Sequence, residues 1–242
     1  MHGAKTGTLV AVEGPSGVGK TTLARAAART FGWVLLAEAF DRLDPAPSLE
    51  FDSPRDLVLL EATLLAEESR RYLEARQRCA VGRTVIADTG FFGPVTYTRG
   101  LAALGRVPEG AARTIERSAR PLLRNGGLGI PDLTVYLTLP ETERRRRAEH
   151  DRAHHPTALD PRHRAVGEVE RQWFERSFPA ALPARFRTLR AGPGVPVLVA
   201  ALRTLVAHAE PAPAVQKEGL ELLAALRRPG TGRRGRNAAP NR

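Results

Sequence analysis

The stretch from Gly14 to Thr21, read Gly-Pro-Ser-Gly-Val-Gly-Lys-Thr, limits this chain more than any other part of it. It fits the spacing G-x-x-x-x-G-K-[ST], and it has the flanks that spacing requires. Thr8 to Glu13 (TLVAVE) is a short β-branched run, and Thr22 to Phe31 (TLARAAARTF) is alanine-rich and helix-forming. Three glycines between a strand and a helix let the backbone curl until successive N–H groups point inward, and the helix that starts at Lys20 adds its positive dipole end. Such a curl is a cradle for an anion. The cation inside it is chosen with care: of the 37 basic residues only Lys5, Lys20 and Lys217 are lysine. Arginine presents a broad planar fork, whereas a lysine ammonium is slim enough to pass between phosphate oxygens. Gly14, Pro15, Ser16, Gly17, Val18, Gly19, Lys20, Thr21 and Thr22 are therefore the expected holders of a nucleoside triphosphate tail.

The rest of the chain fits around that loop as alternating segments. Strands are expected at Trp33–Ala37, Thr84–Ala87, Leu133–Leu137 and Phe186–Leu189. Helices are expected from Pro54 to about Arg78, with Ser53 as N-cap, then at Pro94–Leu104, Pro108–Arg124, Glu141–Arg152, Ala165–Arg176 and Val195–Ala207. Strands separated by helices give an α/β fold of the P-loop kind: a five-stranded parallel sheet in a three-layer α/β/α sandwich, with a mobile lid at about 144–164. A chain of 242 residues, 42% of them hydrophobic, can close one such core, placed here at residues 1–210. A single cysteine, Cys79, excludes an intramolecular disulfide and suits a reducing cytosol. No apolar run approaches the roughly eighteen residues of a membrane span, so a cytoplasmic location without membrane contact is expected.

The net charge of +11 is unevenly spread, with a surplus of five from Pro211 onward. Residues 211–242 are read as one short amphipathic helix followed by a basic, disordered tail. No aromatic residue interleaves the tail arginines, so a solubilising role is favoured over a nucleic-acid arm.

Ligands of parallel sheets gather beyond the carboxyl ends of the strands. Glu38 follows the second expected strand and Asp88 the third. Two carboxylates beside a phosphate loop suit phosphoryl transfer: one addresses a divalent cation and the other accepts the proton of an attacking hydroxyl. Each is open to a blander reading as a helix cap or surface charge, weightier for Glu38 than for Asp88, which ends an apolar run (VIAD) as a Walker B aspartate does. The Thr21 hydroxyl and Asp88 are the expected Mg²⁺ ligands.

At three places the chain resembles the P-loop nucleoside and nucleotide kinases, particularly the thymidylate kinase and deoxyribonucleoside kinase branch. The first is GPSGVGKTTL. The second, Asp88-Thr-Gly-Phe-Phe-Gly-Pro-Val-Thr-Tyr97, is similar to the D-R-Y-x-x-S-x-x-A-Y segment of thymidylate kinases. The third is Val135 to His150 (VYLTLPETERRRRAEH), similar to the strand and arginine run leading into the lid of these enzymes. The resemblance implies an ATP- and Mg²⁺-dependent kinase whose small-molecule acceptor is a nucleoside or nucleotide. It implies catalytic roles for Lys20, Asp88, Glu38 as base and Arg146 as lid cation. Phe91 and Tyr97 are the candidate substrate contacts, suited to stacking on a base or sugar; apolar packing of a helix start is an equally apt reading of Phe91, so Tyr97 has the stronger claim. Of the four arginines 144–147, Arg144 and Arg145 are assigned to a solvated face, because four successive helical residues spread over about 300°. Thr89 and Gly93 stand where the family segment has arginine and serine, and Ala39 where the deoxyribonucleoside kinases have proline. The first two departures favour an unphosphorylated acceptor by a small margin, while Ala39 counts against the deoxyribonucleoside kinase branch. Two other readings stay open: a phosphotransferase for a non-nucleoside alcohol such as an antibiotic or secondary metabolite, and an ATP-hydrolysing nucleic-acid-binding protein. A homodimer is compatible with each. A GTPase switch is disfavoured, since none of the three lysines follows an asparagine.

Overall fold

The computed structural model describes residues 6–45, 47, 51–150, 161–192, 194–209 and 216–227. Five parallel strands form one sheet in the order β2-β3-β1-β4-β5. They are β1 (Leu9–Glu13), β2 (Val34–Leu36), β3 (Val85–Asp88), β4 (Leu133–Thr138) and β5 (Phe186–Arg190). The first strand is central: Val10 lies opposite Ile86 on one side and Leu133 on the other.

Because strand side chains alternate in direction, β1 must satisfy two apolar layers at once. Val10 and Val12 pack with Ile86, Val135 and Leu137 against α1 (Lys20–Phe31) and α8 (Val195–Ala207), through Leu23, Ala24, Ala27, Leu198, Val199 and Leu202. Leu9 and Ala11 point the other way with Val85, Ala87 and Tyr136, under α2 (Pro54–Ala80) and α4 (Glu109–Arg124). This is the expected three-layer α/β/α sandwich. Between these helices come α3 (Gly93–Ala103), α5 (Glu141–His150), α6 (Pro161–Gln172) and the short α7 (Phe178–Ala181). Ser53 caps α2, its hydroxyl accepting from the Asp56 amide at 3.2 Å, with Pro54 in the first turn.

Three local features depart from expectation. A 3-10 turn, Phe40–Arg42, follows β2. The helix expected from Ala165 begins at Pro161 and loosens into a π-turn at Trp173–Ser177, where Trp173 and Phe174 are buried. Tertiary packing sets that turn, since Phe174 stacks on Tyr136 at 5.1 Å and meets Phe178 edge-on at 5.0 Å.

The third departure lies past the boundary drawn at residue 210. Helix α9 (Gln216–Ala225) is part of the core, with Leu222, Leu223 and Leu226 buried in the cluster that holds Leu9 and Ala11. Arg227 pairs with the buried Glu116 of α4, and Arg185 pairs with Glu218 of α9. An amphipathic helix at a basic terminus looks solvated in sequence, but its apolar stripe here completes the layer over α4. The tail from 228 onward, and residues 151–160 of the expected lid, lie outside the described residues. No helix among the described residues is long and apolar enough to cross a membrane.

Candidate active site

Everything expected to hold phosphate lies at the carboxyl end of β1. Gly14, Gly17 and Gly19 all take positive φ (144°, 79° and 103°), which bends the chain around a hollow before α1 starts at Lys20. A side chain at Gly14 is excluded on two counts, the positive φ and a Leu137 carbonyl 2.7 Å from where its Cβ would stand. The Lys20 ammonium turns back into the loop and donates to the Gly14 carbonyl at 3.0 Å.

β3 delivers Asp88 beside the loop. The Asp88 carboxylate is 4% exposed and accepts a hydrogen bond from the Thr21 hydroxyl, while its Oδ1 is buried with no hydrogen-bond partner. Burial raises the Asp88 pKa, opposed by the Thr21 bond and by Lys20. Glu38, just past β2, is half-buried and faces the same groups. Its pKa is raised by burial and by Asp88, and held back by Lys20. The structure thus brings Lys20, Thr21, Glu38 and Asp88 together. A hydroxyl and a carboxylate with one oxygen uncommitted are hard donors of the kind a divalent cation takes, so the residues present fit Mg²⁺.

The backbone that carries Asp88 is clamped from two sides. Thr89 has φ 65°, rare for a β-branched residue, and its amide donates to the Val12 carbonyl at 3.1 Å. The Gly90 amide donates to Glu13 Oε1 at 2.7 Å. From α2 comes Arg71, fully buried, whose Nη2 donates to the Asp88 carbonyl at 3.0 Å while Nη1 pairs with Glu68. Burial lifts Glu13 to about 8 against the Gly90 bond, and Glu68 to about 7 against the pull of Arg71.

Glu13, Glu68 and Arg71 were not expected as site residues. The position of Glu13 at a strand end was the one signal available for it; a buried arginine inside α2 left none.

Phe91 and Arg146 are placed elsewhere than expected. Phe91 is wholly buried, edge-on to Tyr72 at 5.4 Å and under the Arg71 guanidinium, so it backs the clamp from the core. Arg146 is 72% exposed and forks onto Glu143. The arginine of α5 that reaches the loop is Arg144, buried, which grips Glu141 and donates to the Ser16 carbonyl at 2.9 Å. α5 begins at Glu141, just past the end of β4 at Thr138, which puts its first turn beside the loop. Tyr97 is half-buried and stacks on His163 of α6 at 5.3 Å.

Residues 9–123 match the family described as AAA domain. No curated protein matches the chain in sequence. Solved structures share its fold at low identity. Deoxyadenosine kinase from M. mycoides with bound dATP superposes with a TM-score of 0.65 at 13% identity, over 81% of this chain and 97% of that one. The same enzyme with dCMP and a flexible dCDP gives 0.59 at 14% identity, over 81% and 97%. Thymidylate kinase from Candida albicans gives 0.59 at 16% identity, over 84% and 92%. The sheet order, the loop and these superpositions together give the chain the three-layer fold of the P-loop nucleoside and nucleotide kinases, the group its sequence resembles.

Proposed function

We propose that the protein is an ATP- and Mg²⁺-dependent kinase that transfers the γ-phosphoryl group to a hydroxyl of a small, unphosphorylated acceptor of the nucleoside kind. The observation that carries the reading is the convergence of Lys20, Thr21 and Asp88 on a loop curled by three positive-φ glycines. Loop amides and the Lys20 ammonium bind the triphosphate, and Thr21 and Asp88 hold Mg²⁺. The cation, when bound, offsets charge on the phosphates. Glu38 takes the acceptor's hydroxyl proton on its carboxylate. The acceptor oxygen then bonds the γ-phosphorus as the bond to the β–γ bridging oxygen breaks, and ADP leaves with that electron pair. Arg144 steadies the loop through Ser16, and Arg146 is the candidate to swing in as a lid cation.

Thr89, at the position of the arginine in the resembling segment, supports an acceptor without a phosphate. The same observation favours the second reading, a phosphotransferase for a non-nucleoside alcohol. Calorimetry and turnover test the proposal. Wild-type protein should bind Mg·ATP, and Lys20→Ala should lose about two to three orders of magnitude in turnover while keeping its melting temperature. Full activity in that variant contradicts the assignment.

A further inference from the structure

The outer face of α4 carries charge that the fold does not use. Arg113, Arg117, Arg120 and Arg124 follow one another at four, three and four residues, which at about 100° per residue keeps them within about 60° of one another. They form a row about 16 Å long. Arg113, Arg117 and Arg124 are exposed and Arg120 is half-buried. On α5 and α6 the surface arginines are matched by carboxylates one helical turn away: Arg145 by Glu149, Arg146 and Arg147 by Glu143, Arg171 by Glu168. The row on α4 lacks that matching. Arg113 reaches Glu109 at 3.3 Å, a carboxylate that Arg99 already holds at 2.6 Å, and Arg117 donates to the Thr114 hydroxyl at 3.2 Å. Among the described residues no carboxylate pairs with Arg117, Arg120 or Arg124. The acids of α9 and the inner side of α4 are taken: Glu116 by Arg99 and Arg227, Glu218 by Arg185, Glu221 by Lys217.

Arg227 is the last described residue, and its contact with Glu116 puts the chain's exit beside the same helix. Residues 228–242 add five arginines and no acid. We propose that the α4 row binds the phosphate backbone of a nucleic acid without regard to base sequence. A strand presents one negative charge per about 3.4 Å of duplex axis, so about five phosphates lie along the row, and the guanidinium fork suits their oxygens. An even row of like charges matches the repeat of a strand better than the scattered carboxylates of a protein face. Beside the row α4 exposes Ser118 and Pro121, and no aromatic or large aliphatic side chain. That leaves nothing to stack on bases and nothing to insert into a bilayer. A backbone contact needs no aromatics, whose lack favoured a solubilising reading for the tail by itself. None of these arginines belongs to the kinase site proposed above, so the two are tested apart.

The experiment is fluorescence anisotropy of the full-length protein with two labelled duplexes of about 20 base pairs and unrelated sequence, titrated from about 50 to 200 mM KCl. The duplexes should bind within about threefold of each other, with a log–log salt slope of about −3 or steeper. Arg117→Gln, Arg120→Gln and Arg124→Gln together keep good helix formers in place. They should flatten that slope by about 2 to 3, three phosphates' worth, with melting temperature and Mg·ATP binding unchanged. If the triple variant melts lower, the single variants carry the test at about one unit of slope each. Truncation after Arg227 should weaken binding and leave a salt-dependent remainder that the triple substitution removes. The inference is overturned if neither duplex binds, if the substitutions flatten the slope by less than expected, if truncation alone abolishes binding, or if the two duplexes differ by more than threefold. Poly-L-glutamate displacing the duplex as well as unlabelled duplex does, at equal charge, would assign the row to an acidic protein instead.

Discussion

Glu61 of α2, 4% exposed on a helix whose Leu57, Leu65 and Tyr72 are buried, gives the most quantitative prediction for stability. Burial lifts its pKa from 4.5 to about 8, with the charge of Glu170 acting in the same direction. In the unfolded chain the group ionises near its ordinary value, so between those two pH values the folded protein keeps a proton that the unfolded chain has released. Stability from this group is complete below about pH 4.5 and is lost as the pH rises through 8. One proton's difference corresponds to about 1.4 kcal/mol per pH unit. Allowing for partial ionisation at either end, the loss between pH 5 and pH 8 is about 3 to 4 kcal/mol, an order-of-magnitude figure.

Glu61→Gln removes the titration while filling the same volume. Urea unfolding of both proteins, followed by fluorescence of Trp33 and Trp173, would be measured at pH 5, 6, 7 and 8. The stability of the wild type minus that of the variant should fall steadily with pH by about that amount. Other titrating groups are common to both proteins and largely drop out of the difference. A difference that stays flat across the range would show that Glu61 is either solvated or already paired, and the burial argument would be wrong.

Arg144→Ala should weaken Mg·ATP binding by about tenfold, because it removes a buried guanidinium from the Ser16 carbonyl. Arg146→Ala should change that affinity by less than about twofold, since its partner is an exposed carboxylate; isothermal titration of both variants distinguishes them. For Glu38, the raised pKa places the acid limb of the pH–kcat/KM profile above the ordinary carboxylate range, with activity rising as the base ionises. Glu38→Gln should lose about two to four orders of magnitude in kcat and abolish that limb; a limb that persists in the variant assigns the base elsewhere.

How much of this was legible in the sequence depended on whether the signal was local. The glycine spacing, the β-branched runs and the acidic residues at strand ends are set by neighbours in the chain, and they located the loop, Asp88 and Glu38. Arg71 was invisible because its burial is decided by carbonyls at 88–90 and by Glu68, groups brought together only when α2 packs over β3. Arg144 illustrates the same limit. Helical spacing showed that the four arginines diverge, but only the turn out of β4 decides which one faces the loop. For Phe91 the sequence leaves stacking on a ligand and apolar packing at a helix start equally apt, and the packing partner, Tyr72, is brought up only when α2 folds over the sheet. Glu61 carried no warning, since a glutamate in a long polar helix reads as a solvated face.

The layer shared by Leu9 and α9 has a consequence for biosynthesis. Leu222, Leu223 and Leu226 seal the same apolar cluster that the first strand opens, so the sheet is laid down long before its last covering is translated. A nascent chain paused anywhere ahead of α9 presents part of α4 and the β1 side of the sheet uncovered, to chaperones or to other nascent chains. Completion of the layer beneath the first strand therefore waits on a helix translated after every strand of the sheet.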